Sequence, residues 1–389
     1  MIKVALIYNQ PIDSIDGASK VVSSFCVHKE ILNKNGVDIS LFAPEKSLGV
    51  SINSERLNIK RIIKNIIFKV DIAGVIRSCF NLFVRSKKAY NIFGKQPTKD
   101  YDVLFFHEIE TCYHYLKSGK KKPVVLVLHT TGDFFSMDLS YYPLLKYTLY
   151  YNIWLKHIRK TILTKVDKIV FNSEMAADNF NSLYPHTRNN LATFVNNGVP
   201  DITNITAIPH YPPYRIICVG SVTERKGQRF IVEALKLINP EIRKRIHFVI
   251  VGDGNIREEL EKKCLEWGVN KYINFCGLQD DVIPFLSQAN IFILPSVDEG
   301  MPIAILEAMR QGLPVVSTRV GGIPYQLVDG ENGIMIEAST KGVLEFLNHI
   351  DDYNWSSLGK ASRERYLQLF SIDQMMSKYS EILKSVVNS

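Results

Sequence analysis

Short runs of apolar, often β-branched residues recur along the chain, and segments with helical periodicity separate them. In the first half these runs are Val4–Tyr8, Ile39–Ala43, Val103–Phe106, Val124–Leu128 and Ile169–Asn172. In the second half they are Ile216–Val219, Phe248–Val251, Ile273–Phe275, Ile291–Leu294 and Val315–Ser317. Continuous apolar runs of this length are typical of strands buried on both faces of a parallel sheet. Their alternation with helices predicts βαβ units and an α/β fold with doubly wound sheets.

A proline-rich segment divides this pattern in two. Residues 200–214 contain four prolines and lack helical periodicity, which indicates a linker. We therefore predict a Rossmann-like domain over 1–200, a linker over 201–214 and a second Rossmann-like domain over 215–370. A final helix over 371–389 either stays with the second domain or packs back on the first. Ligands of such sheets bind beyond the carboxyl ends of the strands, so two facing domains would hold a ligand in the cleft between them.

The composition fits a globular protein of a reducing compartment. The chain has 389 residues, of which 46% are hydrophobic and 22% charged, enough for two domains with cores of their own. Its six cysteines are scattered without a Cys-x-x-Cys pair, which favours free thiols over disulfides or zinc. The first residues are interpreted as a strand rather than a signal peptide. No run reaches the roughly 18 apolar residues of a membrane span, so we expect a cytoplasmic protein.

The net charge of +8 is concentrated in one block. Residues 56–99 hold 11 Lys or Arg and a single acid, and apolar positions from 59 to 84 follow helical steps of three and four. Such a segment can lie on an anionic membrane, so we predict peripheral association with the inner face of the plasma membrane through 59–88. Residues 141–165 have a similar interfacial character. Alternatively, both stripes pack on the domain core. Nucleic-acid binding is not predicted, because no RNA-binding motif accompanies the charge.

Two cations follow a strand in the second half. Arg225 and Lys226 come after the run Ile216–Val219, a glycine and a short loop. Guanidinium and ammonium groups placed there can bind two phosphates and stabilise the charge that grows on a leaving diphosphate. The alternative is a solvated basic turn before a helix.

A second loop, Glu299 to Glu307, complements these cations. Gly300 allows close backbone approach, and Pro302 suits the first position of a helix that we expect over 302–310. The helix would direct its N–H groups and dipole at an anion. Glu307 would offer acceptors to a ribose diol, and Glu299 would lie near the sugar ring. The alternative has Glu299 capping the helix and Glu307 as an ordinary surface acid.

Four further positions complete the predicted donor site. Gly252 and Gly277 each follow a strand and are interpreted as strand-exit turns, since Gly252-Asp253-Gly254 lacks the third glycine of a dinucleotide fingerprint. Met301 and Ile303 flank Pro302 and belong to the same loop. No metal site is predicted, because an N-cap explains the pair Asp280-Asp281 better than a ligand set does.

The first half contributes a glycine and a histidine. Gly17 lies between the first strand and a helical pattern, where a phosphate or sugar can touch the backbone. His129 ends the run Val124–Leu128 and is expected to contact a sugar hydroxyl or the reaction centre. His107 ends another strand in the same way, and one of the two histidines can be structural. The glycine-containing loop after His129 favours that residue.

These elements, in this order, resemble the family-4 retaining glycosyltransferases, which have the GT-B fold of two facing Rossmann-like domains with an interdomain cleft. The resemblance covers residues 1 to about 333. It is carried by Gly17, His129, Asn172-Ser173-Glu174, Asn197-Gly198-Val199, Arg225-Lys226-Gly227, Gly252-Asp253-Gly254, Gly277, Pro295-Ser296, Glu299 to Glu307 and Gly321-Gly322-Ile323-Pro324.

The resemblance implies a role for each catalytic or donor-binding candidate. Arg225 and Lys226 would hold the diphosphate, Glu307 would bind the ribose, and Glu299 would contact the donor sugar. From the other domain, the glycine at 17 would approach the phosphates and the histidine at 129 would sit near the transferred sugar. Enzymes of this family are typically metal-independent, so no cofactor is expected.

We therefore predict a hexosyltransferase that moves a sugar, with retention, from a UDP- or GDP-linked donor to a glycan or lipid-linked acceptor. The expected process is the synthesis of a bacterial surface polysaccharide or lipopolysaccharide. Two alternatives stay open: a sugar-nucleotide epimerase of the same fold, and a non-catalytic nucleotide-sugar-binding subunit of a transferase complex. Donor base, donor sugar, acceptor and oligomeric state are not specified by the residues.

Overall fold

The structure is a computed structural model. It describes residues 1–10, 17–44, 78–80, 84, 86–94, 100–119, 122–135, 139, 143–202 and 212–388. The chain divides into two compact units, of which the first is Met1–Val195 with Met376–Ser389 and the second is Asn196–Met375. The basic segment 59–88 lies outside the described residues except at 78–80, 84 and 86–88.

The first unit is built on a parallel sheet that, within the described residues, has six strands. They are β1 (Ile2–Ile7), β2 (Val37–Phe42), β3 (Val103–Phe106), β4 (Val124–Leu128), β5 (Lys168–Phe171) and β6 (Ala192–Phe194). Their order across the sheet is β2-β1-β3-β4-β5-β6. The helices are α1 (Gly17–Val27), α2 (Lys29–Lys34), α3 (Ser86–Gly94), α4 (Ile109–Lys117), α5 (Lys156–Lys165) and α6 (Glu174–Leu183). A 3₁₀ segment, Pro143–Tyr147, and a π-helical turn, Tyr151–Leu155, precede α5.

The second unit repeats this architecture with six described strands. They are β7 (Tyr214–Val219), β8 (Ile246–Val251), β9 (Ile273–Phe275), β10 (Ile291–Leu294), β11 (Val315–Thr318) and β12 (Gly333–Ile336). All are parallel, in the order β12-β11-β10-β7-β8-β9. The helices are α7 (Gln228–Leu237), α8 (Pro240–Arg243), α9 (Arg257–Glu266), α10 (Ile283–Leu286), α11 (Ile303–Arg310), α12 (Ile323–Gln326), α13 (Thr340–Asn348) and α14 (Trp355–Leu369). Helix α15 (Ile372–Asn388) begins in this unit, and its residues from Met376 onward belong to the first.

In each sheet the strand order reverses once, beside the first strand of the unit. This switch point is where a ligand-binding site is expected. In the second sheet β7 lies between β8 and β10, with Ile216 opposite Phe248 on one side and Ile291 on the other. In the first sheet β1 lies between β2 and β3, with Val4 opposite Ile39 and Val103. Open α/β sheets bind ligands outside the carboxyl ends of the strands at this point. The loops after β7 and β10 are therefore where a ligand of the second unit is expected.

The core of each unit is the sheet sandwiched between its helices. Strand β10 is fully buried along Ile291–Leu294, and so is β4 along Val124–Leu128, which explains why these strands carry no polar alternation. In the first unit, Tyr379 of α15 packs edge-on against Phe25 at 5.0 Å and tilted against Phe105 at 5.5 Å between ring centroids. The distant end of the chain thereby completes the core of the first unit.

The predicted α/β fold with two Rossmann-like sheets is confirmed, and several local limits are corrected. Strands β6 and β12 were not predicted, because each is short and only partly buried. The predicted final helix over 371–389 is observed as α15 (Ile372–Asn388), and α14 precedes it. They are separated at Ser371, whose backbone pairs with Val199. Within the described residues, no helix has both the length and the apolar character needed to cross a bilayer.

Candidate functional site

The predicted cations and the predicted carboxylate meet at the switch point of the second sheet. Strand β7 runs into a 3₁₀ turn, Glu224–Lys226, and the neighbouring β10 runs into the loop that carries Glu299. The two loops are joined through their backbones, since the N–H of Val297 donates to the carbonyl of Arg225 at 2.8 Å. This pairing explains how residues more than seventy positions apart come together.

Glu299 is the centre of a buried ion cluster. Its Oε1 accepts a hydrogen bond from Lys226 Nζ at 2.5 Å, and its Oε2 accepts one from Arg225 Nη1 at 3.2 Å. The hydroxyl of Ser296 donates to Oε1 at 2.8 Å. The carboxylate side chain is 5% exposed, against 13% for Lys226 and 29% for Arg225. A buried carboxylate needs such partners, because its desolvation would otherwise be very costly.

The arginine of this cluster has a second acceptor and remains accessible. Arg225 Nη1 also donates to the backbone carbonyl of Asp298 at 2.8 Å. Its guanidinium has five N–H donors, and these contacts involve only one of its nitrogens. The guanidinium can therefore bind an incoming anion while it still holds the loop.

The ion cluster affects a buried thiol beneath it. Cys218, near the end of β7, is fully buried, and burial raises its pKa to about 12. The charge of Lys226 lowers this pKa and that of Glu299 raises it, so neither charge makes the thiol reactive. We assign Cys218 to the core.

Helix α11 starts beside the cluster and is held in place by side chains from elsewhere. Pro302 is the N-cap of the helix rather than its first helical residue, because its ψ of 121° is extended, so the helix begins at Ile303, one residue later than predicted. Asn197 Nδ2 donates to the carbonyl of Met301 at 3.2 Å, and Gln326 Nε2 donates to that of Pro302 at 3.0 Å. The alternative role of Glu299, as the cap of this helix, is not observed, since no side-chain hydrogen bond caps it.

The candidate donor-binding residues around α11 differ in how far their side chains are buried. Met301 is buried in the core, so its side chain faces the protein. Ile303, the first helical residue, is half-buried, and Glu307 is half-buried on the same helix. The first N–H groups of any helix lack intrahelical acceptors. Together these features give an accessible helix start followed by a partly accessible carboxylate.

Close backbone packing fixes the loop after Glu299. The N–H of Gly322 donates to the carbonyl of Gly300 at 2.6 Å. A Cβ atom on Gly321 would lie 1.5 Å from the carbonyl oxygen of Glu299, and its φ of +54° is in the left-handed region. Only glycine fits there, which explains why the sequence pattern Gly-Gly-Ile-Pro accompanies the acidic loop.

Gly252 and Gly277 lie together at the exits of β8 and β9. The N–H of Gly252 donates to the carbonyl of Gly277 at 2.8 Å, and the two residues form an isolated bridge. A Cβ on Gly252 would lie 2.0 Å from the carbonyl oxygen of Gly220. Their interpretation as strand-exit turns therefore has a packing basis, and their contact with a donor stays a prediction.

In the first unit, the two predicted histidines are bonded to each other. Strands β3 and β4 are neighbours, so His107 and His129 follow them at the same edge of the sheet. His107 Nδ1 lies 3.3 Å from His129 Nε2. His107 is 3% exposed, whereas His129 is half-buried. Burial, and next the charge of His129, lower the pKa of His107 well below its ordinary value, so His107 stays neutral.

A buried acid and a helix start lie near this pair in the chain. Burial raises the pKa of Glu108 well above its ordinary value, because the charged form of the carboxyl group is poorly solvated there. Glu108 immediately precedes α4. Gly17 is the first residue of α1, as expected for a strand-to-helix turn, and residues 11–16 before it lie outside the described part.

The positioning contacts of three residues were not predicted. Ser296 and Asn197 belong to motifs that carry the resemblance, but neither was assigned a contact. Ser296 lies three residues before Glu299, a spacing at which a hydroxyl can reach the carboxylate. Asn197 and Gln326 act from 104 and 24 residues away, so no local pattern indicated their contacts. Among the described residues, no group of three or more His, Cys, Asp or Glu could hold a metal ion.

Two family models match the chain in succession. The model described as Glycosyltransferase Family 4 matches residues 17–201, and the model described as Glycosyl transferases group 1 matches residues 213–352. Together they match most of each unit.

Curated relatives and a solved structure agree with these matches. The lipopolysaccharide core biosynthesis glycosyltransferase LpsE of Rhizobium meliloti is 31% identical over 173 residues, which are 44% of this chain and 49% of that protein. The UDP-Gal:alpha-D-GlcNAc-diphosphoundecaprenol alpha-1,3-galactosyltransferase of Escherichia coli is 29% identical over 177 residues, 44% of this chain and 45% of that protein. The match thus spans about half the length of each relative. Anabaena HepE in complex with UDP and glucose superposes with a TM-score of 0.67 and 16% identity over 99% of this chain and 100% of that one, a likeness of fold.

Proposed function

The chain belongs to glycosyltransferase family 4 and has the GT-B fold, and we propose that it transfers a sugar from a nucleoside-diphosphate sugar to a glycan or lipid-linked acceptor, with retention at the anomeric carbon. The observation that carries the proposal is the contact of Arg225 and Lys226 with the buried Glu299 at the switch point of the second sheet. A site for an anionic, sugar-bearing ligand needs both fixed cations and a carboxylate acceptor, and this cluster supplies both.

The proposed chemistry depends on charge that develops during the reaction. When the bond between the anomeric carbon and the diphosphate breaks, negative charge grows on the phosphate oxygens. Lys226 and Arg225 would stabilise that charge, and the N-terminus of α11 would add its dipole. The leaving diphosphate would take the proton of the acceptor hydroxyl as the acceptor attacks from the same face. Glu307 would bind the ribose, and Glu299 would contact the sugar.

The first unit is proposed to contribute the acceptor side. His129 would contact the transferred sugar, and the backbone at Gly17 would approach the phosphates. These roles are supported by the order of the motifs along the chain. The names of relatives that act in lipopolysaccharide core biosynthesis and on a diphosphoundecaprenol-linked sugar support a lipid-linked acceptor and a role in making a surface polysaccharide. Membrane association through 59–88, at the inner face of the plasma membrane, stays a prediction.

The test combines donor screening with nucleotide binding. The purified chain is incubated with a panel of UDP- and GDP-sugars, and hydrolysis or transfer is followed by nucleotide release. Calorimetry then measures UDP or GDP affinity for wild type, Lys226→Ala and Glu307→Ala. Losing one charge-assisted phosphate contact costs about 1.5–3 kcal/mol, so Lys226→Ala should weaken binding about 10- to 150-fold. The matched control is Lys262→Ala, whose side chain is 77% exposed on α9.

Three outcomes would contradict the proposal. Unchanged nucleotide affinity and turnover in both site variants would place the donor elsewhere. Release of a free, altered sugar without any acceptor would favour the epimerase. A chain that binds nucleotide sugars but never turns them over, alone or with acceptors, would be the binding subunit.

A further inference from the structure

One surface of the first unit exposes large apolar side chains between lysines. It lies on the segment Pro143–Lys165, and most of its apolar members are more than half exposed. Leu149 is 79% exposed, Tyr147 71% and Ile153 60%, although a buried position would be the favoured one for each. We call this surface the aromatic–basic patch, and its members are Leu144, Lys146, Tyr147, Leu149, Ile153, Trp154, Lys156 and Lys160.

The local helical geometry explains why these side chains point outward. From residue 149 to 165 the backbone is continuously helical, through the π-helical turn and α5. Leu155, Ile158 and Ile162, at steps of three and four, are buried in the core of the first unit. Residues at 149, 153, 156 and 160 follow the same steps on the opposite side of the helix. The helix is therefore amphipathic in an unusual way, since its outward face begins with apolar residues and ends with lysines.

The charge around the patch has one sign. The sequence has no Asp or Glu between Asp138 and Asp167, but it has Lys146, Lys156, Arg159, Lys160 and Lys165. Among the described residues, no carboxylate forms an ion pair with the three lysines of the patch. An exposed apolar surface with three lysines, on a segment without Asp or Glu, attracts an anionic partner.

We propose that the aromatic–basic patch docks on the surface of an anionic lipid bilayer. Leucine, isoleucine and aromatic rings suit the boundary between headgroups and acyl chains, while lysines reach the lipid phosphates beside them. An anionic leaflet contributes further attraction for each basic residue at its surface. A second copy of the chain fits less well, because a twofold interface would bring the same cations face to face. This proposal stands independently of the donor chemistry.

A contact ties the basic segment of the sequence to this surface. Ser78 Oγ lies 3.1 Å from the hydroxyl of Tyr150, which follows Leu149 in the patch helix. Ser78 is buried and belongs to the stretch 56–99, with its 11 Lys or Arg and single acid. Ser78 therefore lies beside the helix that carries the patch. The large exposed apolar side chains of the patch favour an extended anionic surface over a small anionic ligand.

The test is vesicle flotation with the full chain. Vesicles contain phosphatidylcholine alone or mixed with phosphatidylglycerol, and binding is expected only in the mixture and to weaken with salt, as the Debye length falls from about 10 Å at 0.1 M to about 3 Å at 1 M. The paired change Lys156→Gln with Lys160→Gln should weaken binding about 25-fold, since each basic residue near an anionic surface contributes about fivefold. The paired change Leu149→Ser with Ile153→Ser should weaken it at least about tenfold through lost apolar burial.

A matched control and a local probe make the result specific. Leu237→Ser with Leu265→Ser changes two exposed leucines of the second unit and should leave flotation unchanged. Brominated lipid chains should quench the fluorescence of Trp154, and Trp154→Phe should bind normally but lose that quenching. Circular dichroism melts check that every variant is folded, and calorimetry with UDP checks the donor site separately.

Three outcomes would overturn the proposal. One is equal flotation of the patch variants and the wild type. Another is binding in which Trp154→Phe retains the full quenching, which would place a different surface on the membrane. The last is a change from dimer to monomer in the Leu149→Ser with Ile153→Ser variant without a change in flotation, which would identify the patch as a subunit interface.

Discussion

Replacing Glu299 by glutamine should separate the stability of the second unit from its affinity for a nucleoside diphosphate. Glutamine keeps the shape of the side chain and can still accept from Ser296 and Lys226, but it loses the negative charge. The bond from Lys226, at 2.5 Å, becomes a bond to a neutral acceptor. The bond from Arg225, at 3.2 Å, is replaced by hydration of its partly exposed guanidinium, because the amide nitrogen in place of Oε2 is a donor. A charge-assisted bond contributes about 1.5–3 kcal/mol and a neutral one about 0.5–1.5, so the change should cost about 2 kcal/mol in total.

The same substitution should not weaken nucleotide binding. In the structure the carboxylate of Glu299 already neutralises Lys226 and Arg225, so an incoming diphosphate competes with it for both cations. Removing the charge frees them. We therefore expect UDP or GDP affinity to be kept or to rise in Glu299→Gln, while sugar transfer falls because the acceptor for the donor sugar is altered.

Thermal unfolding and calorimetry on one preparation measure both quantities. For a domain of 150–250 residues, a loss of about 2 kcal/mol lowers the melting temperature by about 4–8 °C. The control is Glu224→Gln, which removes an exposed pair with Arg229 and should cost less than about 1 kcal/mol. A Glu299→Gln protein that melts like the control would refute the stabilising role of the ion cluster. A parallel fall in stability and in nucleotide affinity would refute the competition.

Three further predictions concern backbone packing, an acid and a histidine. Gly321→Ala should destabilise the second unit by at least about 4 kcal/mol in denaturant unfolding, whereas Gly330→Ala, with a similar positive φ but no atom within 4 Å of its Cβ, should cost only about 1–2. Because the folded state raises the pKa of Glu108 above the unfolded value, its contribution to stability is lost as pH rises from the ordinary value of 4.5 toward the raised one. Glu108→Gln should therefore gain stability over wild type at about pH 8 and match it near pH 4 in thermal melts. His107→Ala should lower kcat with little change in KM by releasing His129, and His107→Asn, which keeps a polar group near Nδ1, should restore part of the rate.

Each of these predictions has an opposing result. Equal costs for the two glycine variants would mean that the loop after Glu299 can move away from Gly321. A Glu108→Gln protein with the wild-type dependence of stability on pH would mean that the carboxyl group is ionised and solvated. Equal kcat in His107→Ala and wild type would leave His107 as a core residue only.

Most of the fold could be predicted because its buried strands have a distinctive sequence pattern. Runs such as Ile291–Leu294 are buried on both faces, so every residue is apolar and the pattern is unmistakable. The missed strands Ala192–Phe194 and Gly333–Ile336 are at sheet edges, where partial burial relaxes the demand for apolar residues. The final helix, by contrast, begins close to where it was predicted, directly after Ser371, whose backbone bridges to Val199.

For the site, residue types were predictable and their mutual contacts were not. Arg225, Lys226 and Glu299 could be identified because each follows a buried strand. Their direct pairing requires β7 and β10 to be neighbours, and that is a property of strand order rather than of spacing. His107 and His129 likewise come into contact because β3 and β4 are neighbours. From the sequence alone they were alternatives for one role, whereas in the structure they are hydrogen-bonded to each other.

The aromatic contact between Tyr379 and Phe25 has a consequence for biosynthesis. Helix α15 is made after the whole second unit, yet its residues from Met376 onward complete the hydrophobic interior of the first. During translation, the amino-terminal half therefore exposes part of its apolar surface to solvent until α15 has been synthesised. A nascent chain in that condition is a natural client for a chaperone. Pulse-chase proteolysis of the growing polypeptide should show the amino-terminal half becoming resistant only once the last helix has left the ribosome.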